Sequence, residues 1–139
     1  MANYAGDITP ERAWQILASE GNAVLVDVRT KAEWSFVGVC DLGSLGKQPA
    51  FIEWQVFPSM ERNESFGEAI ESLDVPKEAP LLFLCRSGAR SRSAAITTTE
   101  CGYQACYNVA GGFEGDPNPE RHRGRINGWK AAGLPWVQQ

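Results

Sequence analysis

Three short runs rich in apolar residues constrain the fold of this chain more than any other feature. They span residues 23–28, 81–84 and 104–109. Near-continuous apolar runs are typical of parallel strands that helices cover on both faces of a sheet. Segments with helical signals separate the runs. The sequence therefore predicts an α/β fold of three layers, α/β/α, around a mostly parallel central sheet.

The segments between the runs carry signals that begin and end helices. Thr9-Pro10-Glu11 offers an N-cap, a proline at the first helical position and an acidic first turn, and Gly21 ends that helix. Thr30 and Glu33 have the spacing of a capping box. Three more helices are predicted: one capped by Asn63, one from about residue 91 to 101, and one from about 126 to 132.

Two segments give weaker signals. Glycines and a proline interrupt residues 42–63 before a possible strand over residues 51–57. Residues 114–125 are rich in charge and proline, so we expect an exposed loop there.

Length and charge exclude several classes of function. The chain has 139 residues, 43% of them apolar, which suits one domain with a real core, so we predict a single domain over residues 1–139. Thirteen basic and seventeen acidic residues give a formal net charge of −4, which argues against nucleic acid or a membrane as partner. Residues 1–7 have no signal-peptide pattern and no stretch reaches transmembrane length, so we expect a cytoplasmic protein.

The strongest functional signal lies where the second apolar run ends. The run leads directly into Cys85, and the loop Cys85-Arg86-Ser87-Gly88-Ala89-Arg90-Ser91 then starts a helix. Backbone N–H groups at such a start form a positive concavity, and Arg86 and Arg90 add full charges to it. These surroundings favour the thiolate, the nucleophilic form of cysteine. Cys85 is therefore predicted to be the catalytic nucleophile.

Other candidate residues lie near the C-terminal ends of predicted strands. Ligands of parallel sheets bind beyond these ends. Asp27 and Arg29 follow the first run, and Ser91 closes the cysteine loop. We expect these three side chains to support the site structurally, through ion pairs and hydrogen bonds.

The remaining cysteines are interpreted as structural thiols. Cys40, Cys101 and Cys106 have no spacing typical of a disulfide framework, and a resolving role for one of them is the alternative. Cys101, Cys106 and His122 lack the paired spacing and the fourth ligand of a zinc site. No metal site is predicted, and His122 is expected to be solvated.

With these residues in view, the chain resembles a single-domain rhodanese of the thiosulfate:cyanide sulfurtransferase family. The resemblance covers nearly the whole chain and implies the rhodanese-like fold. Its anchors are the Cys85 loop, Val26-Asp27-Val28-Arg29 with Glu33-Trp34, Tyr107-Asn108-Val109 with Gly111-Gly112, Gly128-Trp129, and Gly133-Leu134-Pro135. The chain departs from the family in having Val37-Gly38-Val39 where Gly-His-Ile is common, and in a longer segment over residues 42–63.

The resemblance implies a sulfurtransferase. Cys85 would accept a sulfane sulfur from thiosulfate or a related small anionic donor, form a persulfide, and pass the sulfur to cyanide, a thiol or a protein acceptor. The covalent persulfide takes the place of a cofactor. Arg86 and Arg90 would attract the donor, while loop amides would hold the transferred sulfur. The substrate-binding residues are then Arg86, Ser87, Gly88, Ala89 and Arg90.

Two other interpretations stay open. Cysteine phosphatases and arsenate reductases share a related architecture, but they place five residues between cysteine and arginine, whereas here Arg90 follows Cys85 after four and the required position is Ser91. A rhodanese-like module could instead carry a persulfide or bind a protein without turnover. Such a carrier would hold the sulfur yet use small acceptors poorly.

Overall fold

A parallel five-stranded sheet lies at the centre of the structure. The structure is a computed structural model that describes residues 3–138. The elements are β1 (Gly6–Ile8), α1 (Pro10–Ser19), β2 (Val24–Asp27), α2 (Lys31–Phe36), β3 (Val39–Cys40), a 3-10 turn (Gly43–Leu45), β4 (Ala50–Phe51), β5 (Gln55–Val56), β6 (Glu61–Arg62), α3 (Phe66–Glu71), β7 (Leu81–Leu84), α4 (Ala89–Glu100), β8 (Cys106–Val109) and β9 (Trp136–Val137). The central sheet has the order β1-β8-β7-β2-β4, and every neighbouring pair is parallel. The predicted α/β fold is confirmed.

The sheet separates two hydrophobic cores because successive side chains of a strand point to opposite faces. In β7, Leu82 and Leu84 pack on the face that α1 covers. Leu81 and Phe83 pack on the other face, against α3 and α4. All four residues of β7 are buried. Burial on both faces explains why this strand is apolar without interruption.

The first two predicted helices begin at their capping signals. Thr9 accepts a hydrogen bond from the Arg12 N–H at the start of α1. The capping box of α2 is complete, because Thr30 accepts from the Glu33 N–H and the Glu33 carboxylate accepts from the Thr30 N–H. Both capping predictions are confirmed.

The helix predicted over residues 126–132 does not form; this part of the chain consists of turns. Gly128 has a φ of 95°, which lies outside the helical region. The Trp129 N–H donates to the Gly112 carbonyl and the Lys130 N–H to the Phe113 carbonyl. These N–H groups are used in contacts to the turn after β8, so they are not free to build a helix.

The possible strand over residues 51–57 is also corrected. Its beginning belongs to β4, which pairs with β2, whereas its end belongs to β5, which pairs with β6 in a separate antiparallel hairpin. Between them Trp54 is only 9% exposed and packs edge-on against Phe66. Burying this indole turns the chain inward and interrupts the strand.

Asn63 does not cap α3 as predicted, because Ser65 occupies the N-cap position. The Asn63 side chain instead accepts from the Ser65 N–H and donates to the Glu53 carbonyl. α4 begins at Ala89, slightly earlier than predicted. The charged loop at 114–125 is mostly exposed, as expected. Within residues 3–138, none of the helices combines the length and hydropathy needed to cross a bilayer.

Gly128 provides a test of the turn packing. A Cβ at Gly128 would lie 2.9 Å from the Gly115 nitrogen and 3.0 Å from the Gly112 oxygen, whereas a Cβ at Gly133 would meet nothing within 4 Å. Both glycines have positive φ, so Gly133→Ala is a matched control that adds strain alone, about 1–2 kcal/mol. We expect Gly128→Ala to lower the free energy of unfolding by at least twice as much in urea denaturation. Equal losses would contradict this account of the packing.

Candidate active site

Cys85 follows β7 directly and begins the loop that leads into α4. The residue is only 1% exposed, yet it lines an open cavity of about 560 Å³. Four of the predicted loop residues line the same cavity: Arg86, Ser87, Ala89 and Arg90. Cys85 is therefore shielded from bulk solvent but borders a cavity that is open to the surface.

Two hydrogen-bonding groups contact the sulfur. The Gly88 N–H donates to Cys85 Sγ at 3.1 Å, and the Ser91 hydroxyl oxygen lies 3.2 Å from it. Gly88 has a φ of 122°, a conformation that glycine adopts without a steric cost. Among the described residues, this is the one backbone N–H bonded to the sulfur. The N-terminus of α4, which is the positive end of the helix dipole, therefore lies next to the predicted nucleophile.

The turn after β8 forms hydrogen bonds to the backbone of Cys85 and its neighbour Arg86. The Phe113 N–H donates to the Cys85 carbonyl at 2.8 Å, and the Glu114 N–H donates to the Arg86 carbonyl at 3.0 Å. Gly112 packs so closely that a Cβ there would collide with both carbonyl groups. The glycine pair after β8 therefore lets the turn approach and fix the cysteine loop.

Arg90 forms a two-pronged ion pair with Glu33, with Nη1 to Oε1 at 2.7 Å and Nη2 to Oε2 at 2.9 Å. Burial alone would raise the pKa of Glu33, but the hydrogen bonds and charge of Arg90 outweigh burial and hold that pKa below its ordinary value. Glu33 thus caps α2 and also orients Arg90. Because its charge is balanced, Arg90 contributes less net positive potential to the cavity than the sequence suggested.

Segments without a predicted role complete the cavity wall. Gln55 and Met60 come from the β5–β6 hairpin, and Glu114 and Arg123 come from the charged loop. Arg123 Nη1 donates to the Gly115 carbonyl at 2.6 Å, which orients the guanidinium. Sequence reasoning did not place these four side chains at the site. The cluster of basic residues at 121–125 was a signal, but nothing in it indicated the direction of the loop.

Asp27 and Arg29 form an ion pair that is fully buried, with Arg29 Nη2 to Asp27 Oδ2 at 2.6 Å. Arg29 Nη2 also donates to the Gly38 carbonyl at 2.8 Å, and the guanidinium carbon lies 4.3 Å from the centre of the Phe113 ring. Burial acts to lower the pKa of Arg29, but the hydrogen bonds and charge of Asp27 outweigh burial and raise that pKa above its ordinary value. Neither residue lines the Cys85 cavity. The geometry fits structural support.

The other cysteines lie apart from the cavity. All four cysteines are free, with Cys40 and Cys106 buried and Cys101 exposed. Burial raises the pKa of the Cys40 and Cys106 thiols. His122 is exposed in the charged loop. Across residues 3–138, no cluster of three histidine, cysteine or acidic side chains has the arrangement of a metal site.

The chain is similar to several known proteins. Residues 5–139 match the family described as the STR4 middle domain. The crystal structure of Rv0390 from M. tuberculosis is similar with a TM-score of 0.90 and 49% sequence identity, covering 98% of this chain and 99% of that one.

Two curated relatives extend the comparison. The RP600 homolog of Rickettsia rickettsii, itself uncharacterised, is 40% identical over 131 residues, which are 94% of this chain and 95% of that protein. The thiosulfate sulfurtransferase GlpE of Actinobacillus succinogenes is 36% identical over 129 residues, which are 93% of this chain and 87% of that protein.

The buried ion pair makes a prediction about stability. Arg29→Met leaves the Asp27 carboxylate buried without its partner, so we expect a loss of about 3–5 kcal/mol in the free energy of unfolding, measured in urea. Replacing both residues, as Asp27→Leu with Arg29→Met, removes the unpaired charge. This double variant should be more stable than the single one. A double variant that is less stable than Arg29→Met would contradict the assignment.

The Glu33–Arg90 pair predicts a pH dependence of stability. Because the pKa of Glu33 is lowered by folding, its contribution is complete above the ordinary value of about 4.3 and disappears as pH falls through the lower folded value. We therefore expect Glu33→Gln to destabilise the protein at about pH 6 and to have a much smaller effect near pH 3. Urea denaturation at both pH values measures the difference. An effect that grows on acidification would have the wrong sign.

Proposed function

The chain belongs to the rhodanese family that its motifs resemble, and on that premise we propose that it is a thiosulfate sulfurtransferase acting through a persulfide on Cys85. The observation that carries the proposal is the position of Cys85, which lines an open cavity together with Arg86 and Arg90 and whose sulfur accepts from the Gly88 N–H. This arrangement combines a nucleophile, a positive field and room for a small anion.

In the first step, the Cys85 thiolate attacks the outer, sulfane sulfur of thiosulfate. The new S–S bond forms as the bond to the sulfonate sulfur breaks, and its electron pair leaves with sulfite. The products are the Cys85 persulfide anion and the sulfite dianion, so charge is conserved. Arg86 and Arg123 line the cavity in which this negative charge is carried, and both favour an anionic donor.

In the second step, an acceptor attacks the outer sulfur of the persulfide. Cyanide would leave as thiocyanate, and a thiolate would leave as a new persulfide anion. In both cases the Cys85 thiolate is regenerated, with no external oxidant or reductant. Release of sulfite before the acceptor reacts predicts ping-pong kinetics.

The start of α4 suits the extra sulfur atom. The first N–H groups of a helix have no intrahelical partner. The Ala89 and Arg90 N–H groups occupy that position in α4, next to the Gly88 N–H that already bonds to Cys85 Sγ. These amides provide donors for the outer sulfur of a persulfide, whereas the four-residue spacing to Arg90 is too short for the phosphate-binding loop of a cysteine phosphatase.

A protein acceptor is the second candidate, as in a persulfide carrier. The β5–β6 hairpin that supplies Met60 to the cavity wall exposes apolar side chains: Phe57 is 56% exposed and Met60 is 40% exposed. Exposed apolar side chains next to a reactive group are typical of a surface that contacts another protein. The free cysteines suit the reducing cytoplasm, which we propose as the location.

Intact-protein mass spectrometry tests the proposal. Thiosulfate treatment should add the mass of one sulfur to the wild type and to Cys101→Ser, which lacks the exposed thiol, but not to Cys85→Ala. Cyanide should then remove the sulfur in repeated cycles as thiocyanate, because a persulfide sulfur is open to nucleophiles. A stable gain without turnover would favour the carrier function. No gain in the folded wild type would contradict thiosulfate as donor.

A further inference from the structure

A chain of hydrogen bonds, buried except at its Asp7 end, runs from Cys85 to the edge of the sheet. Ser91 Oγ lies 3.2 Å from Cys85 Sγ and 2.5 Å from Asn108 Oδ1. Asn108 Nδ2 in turn donates to Asp7 Oδ1 at 3.0 Å. Ser91 and Asn108 are buried, whereas Asp7 lies in the edge strand β1, directly beside Asn108 in the register of β1 with β8. This chain of side chains has no part in the steps described above.

The orientation of the Asn108 amide is fixed by Asp7. An ionised carboxylate only accepts hydrogen bonds, so the NH₂ group of Asn108 must face it and the amide oxygen must face Ser91. Burial acts to raise the pKa of Asp7, but hydrogen bonds from Tyr4 and Asn108 and the charge of Arg92 outweigh burial and lower it. Asp7 is therefore a carboxylate at neutral pH, and the amide is held in one orientation.

The hydroxyl of Ser91 has one hydrogen and three neighbouring acceptors. These are Asn108 Oδ1 at 2.5 Å, Cys85 Sγ at 3.2 Å and the Gly88 carbonyl at 3.2 Å. With the amide oxygen facing it at the shortest distance, Ser91 donates to Asn108. Its oxygen then faces the sulfur as an acceptor, which suits a thiol S–H and gives no support to a thiolate.

We propose that Asp7 and Asn108 act as positioning residues that hold the Ser91 hydroxyl hydrogen away from Cys85 and so raise the pH at which the sulfur becomes reactive. This inference rests on the proposed function only in taking Cys85 as the nucleophile. A thiolate would gain a second hydrogen bond if the Ser91 hydroxyl turned from Asn108 to the sulfur, where it would join the Gly88 N–H. Asp7 does not line the Cys85 cavity, yet it would in this way set the reactivity of the Cys85 sulfur.

Other charged groups line the two cavities that the Cys85 loop borders, and all of them except Asp7 remain unchanged in the test. The charged residues that line the Cys85 cavity are Glu33, Arg86, Arg90, Glu114 and Arg123. Asp7 and Arg92 line a smaller cavity, which Ser87, Gly88 and Ala89 of the loop also line. Removing the charge of Asp7 would favour a thiolate through space as well as through Ser91. The experiment must therefore separate these two routes.

The test compares Asp7→Asn with the wild type by the rate at which iodoacetamide alkylates Cys85 across about pH 5 to 9, followed at the Cys85 peptide by mass spectrometry. The variant frees the Asn108 amide to turn and Ser91 to donate to the sulfur. One hydrogen bond gained by the thiolate should increase the rate below the midpoint about fivefold. An unchanged pH profile in the folded variant would overturn the proposal.

The same substitution in a Ser91→Ala background identifies the route. If Asp7 acts through the hydroxyl, Asp7→Asn should leave the pH profile of Ser91→Ala unchanged. An equal shift with and without Ser91 would show a through-space charge effect and overturn the proposal. Tyr4→Phe is the matched control, because it removes a different hydrogen bond to Asp7 and keeps the carboxylate and its bond to Asn108. Its profile should match the wild type.

The readout needs no sulfur donor. If Cys85 never accepts sulfur from thiosulfate but the Ser91-dependent shift is present, the proposed donor fails and the positioning role stands. If the sulfur is transferred but the shift is absent, the positioning role fails alone. Thermal unfolding of each variant checks that the compared proteins are folded. Because the Asp7 side chain is 41% exposed, we expect Asp7→Asn to have little effect on the free energy of unfolding.

Discussion

The buried ion pair of Asp27 and Arg29 connects the parts on which the site depends. A charge in this position must be paired, because an unpaired ion in the interior costs several kcal/mol. Arg29 satisfies that requirement through Asp27 and the Gly38 carbonyl, and its guanidinium lies over the ring of Phe113. The Phe113 N–H in turn binds the Cys85 carbonyl. Cys85 is thus linked to the end of β2 and to the α2–β3 connection through one guanidinium.

The central part of the fold could be predicted because its signals are local. The apolar run of β7 and the capping box of Thr30 and Glu33 each specify their own element. The short strands β1, β3 and β9 carry no such pattern, since each is held by a partner far away in sequence. The helix prediction at 126–132 was wrong for the same reason. The Trp129 N–H donates to the distant Gly112 carbonyl, a contact that no helical periodicity reveals.

The site divides in the same way. The contact between the Cys85 sulfur and the Gly88 N–H could be predicted because both residues belong to one loop. The ion pair between Glu33 and Arg90 joins residues 57 positions apart, and the bond between Asn108 and Asp7 joins residues 101 positions apart. Sequence reasoning recognised Glu33 as a cap but could not show that its carboxylate also reaches Arg90. Partners of this kind are defined only when the sheet brings the strand ends together.

The cavity over Cys85 has walls of two physical kinds. One is the β7–α4 junction, which the sheet and the turn after β8 hold in place, and the other consists of the β5–β6 hairpin and the charged loop at the surface. Surface segments change length and composition at little cost to a core. For the proposed sulfurtransferase activity, insertion or deletion in the hairpin or in the charged loop can therefore alter selectivity without moving Cys85 or the β7–α4 junction. Exchanging the hairpin or the charged loop between two such proteins would change which small molecules can enter the cavity and would leave the Cys85 loop intact.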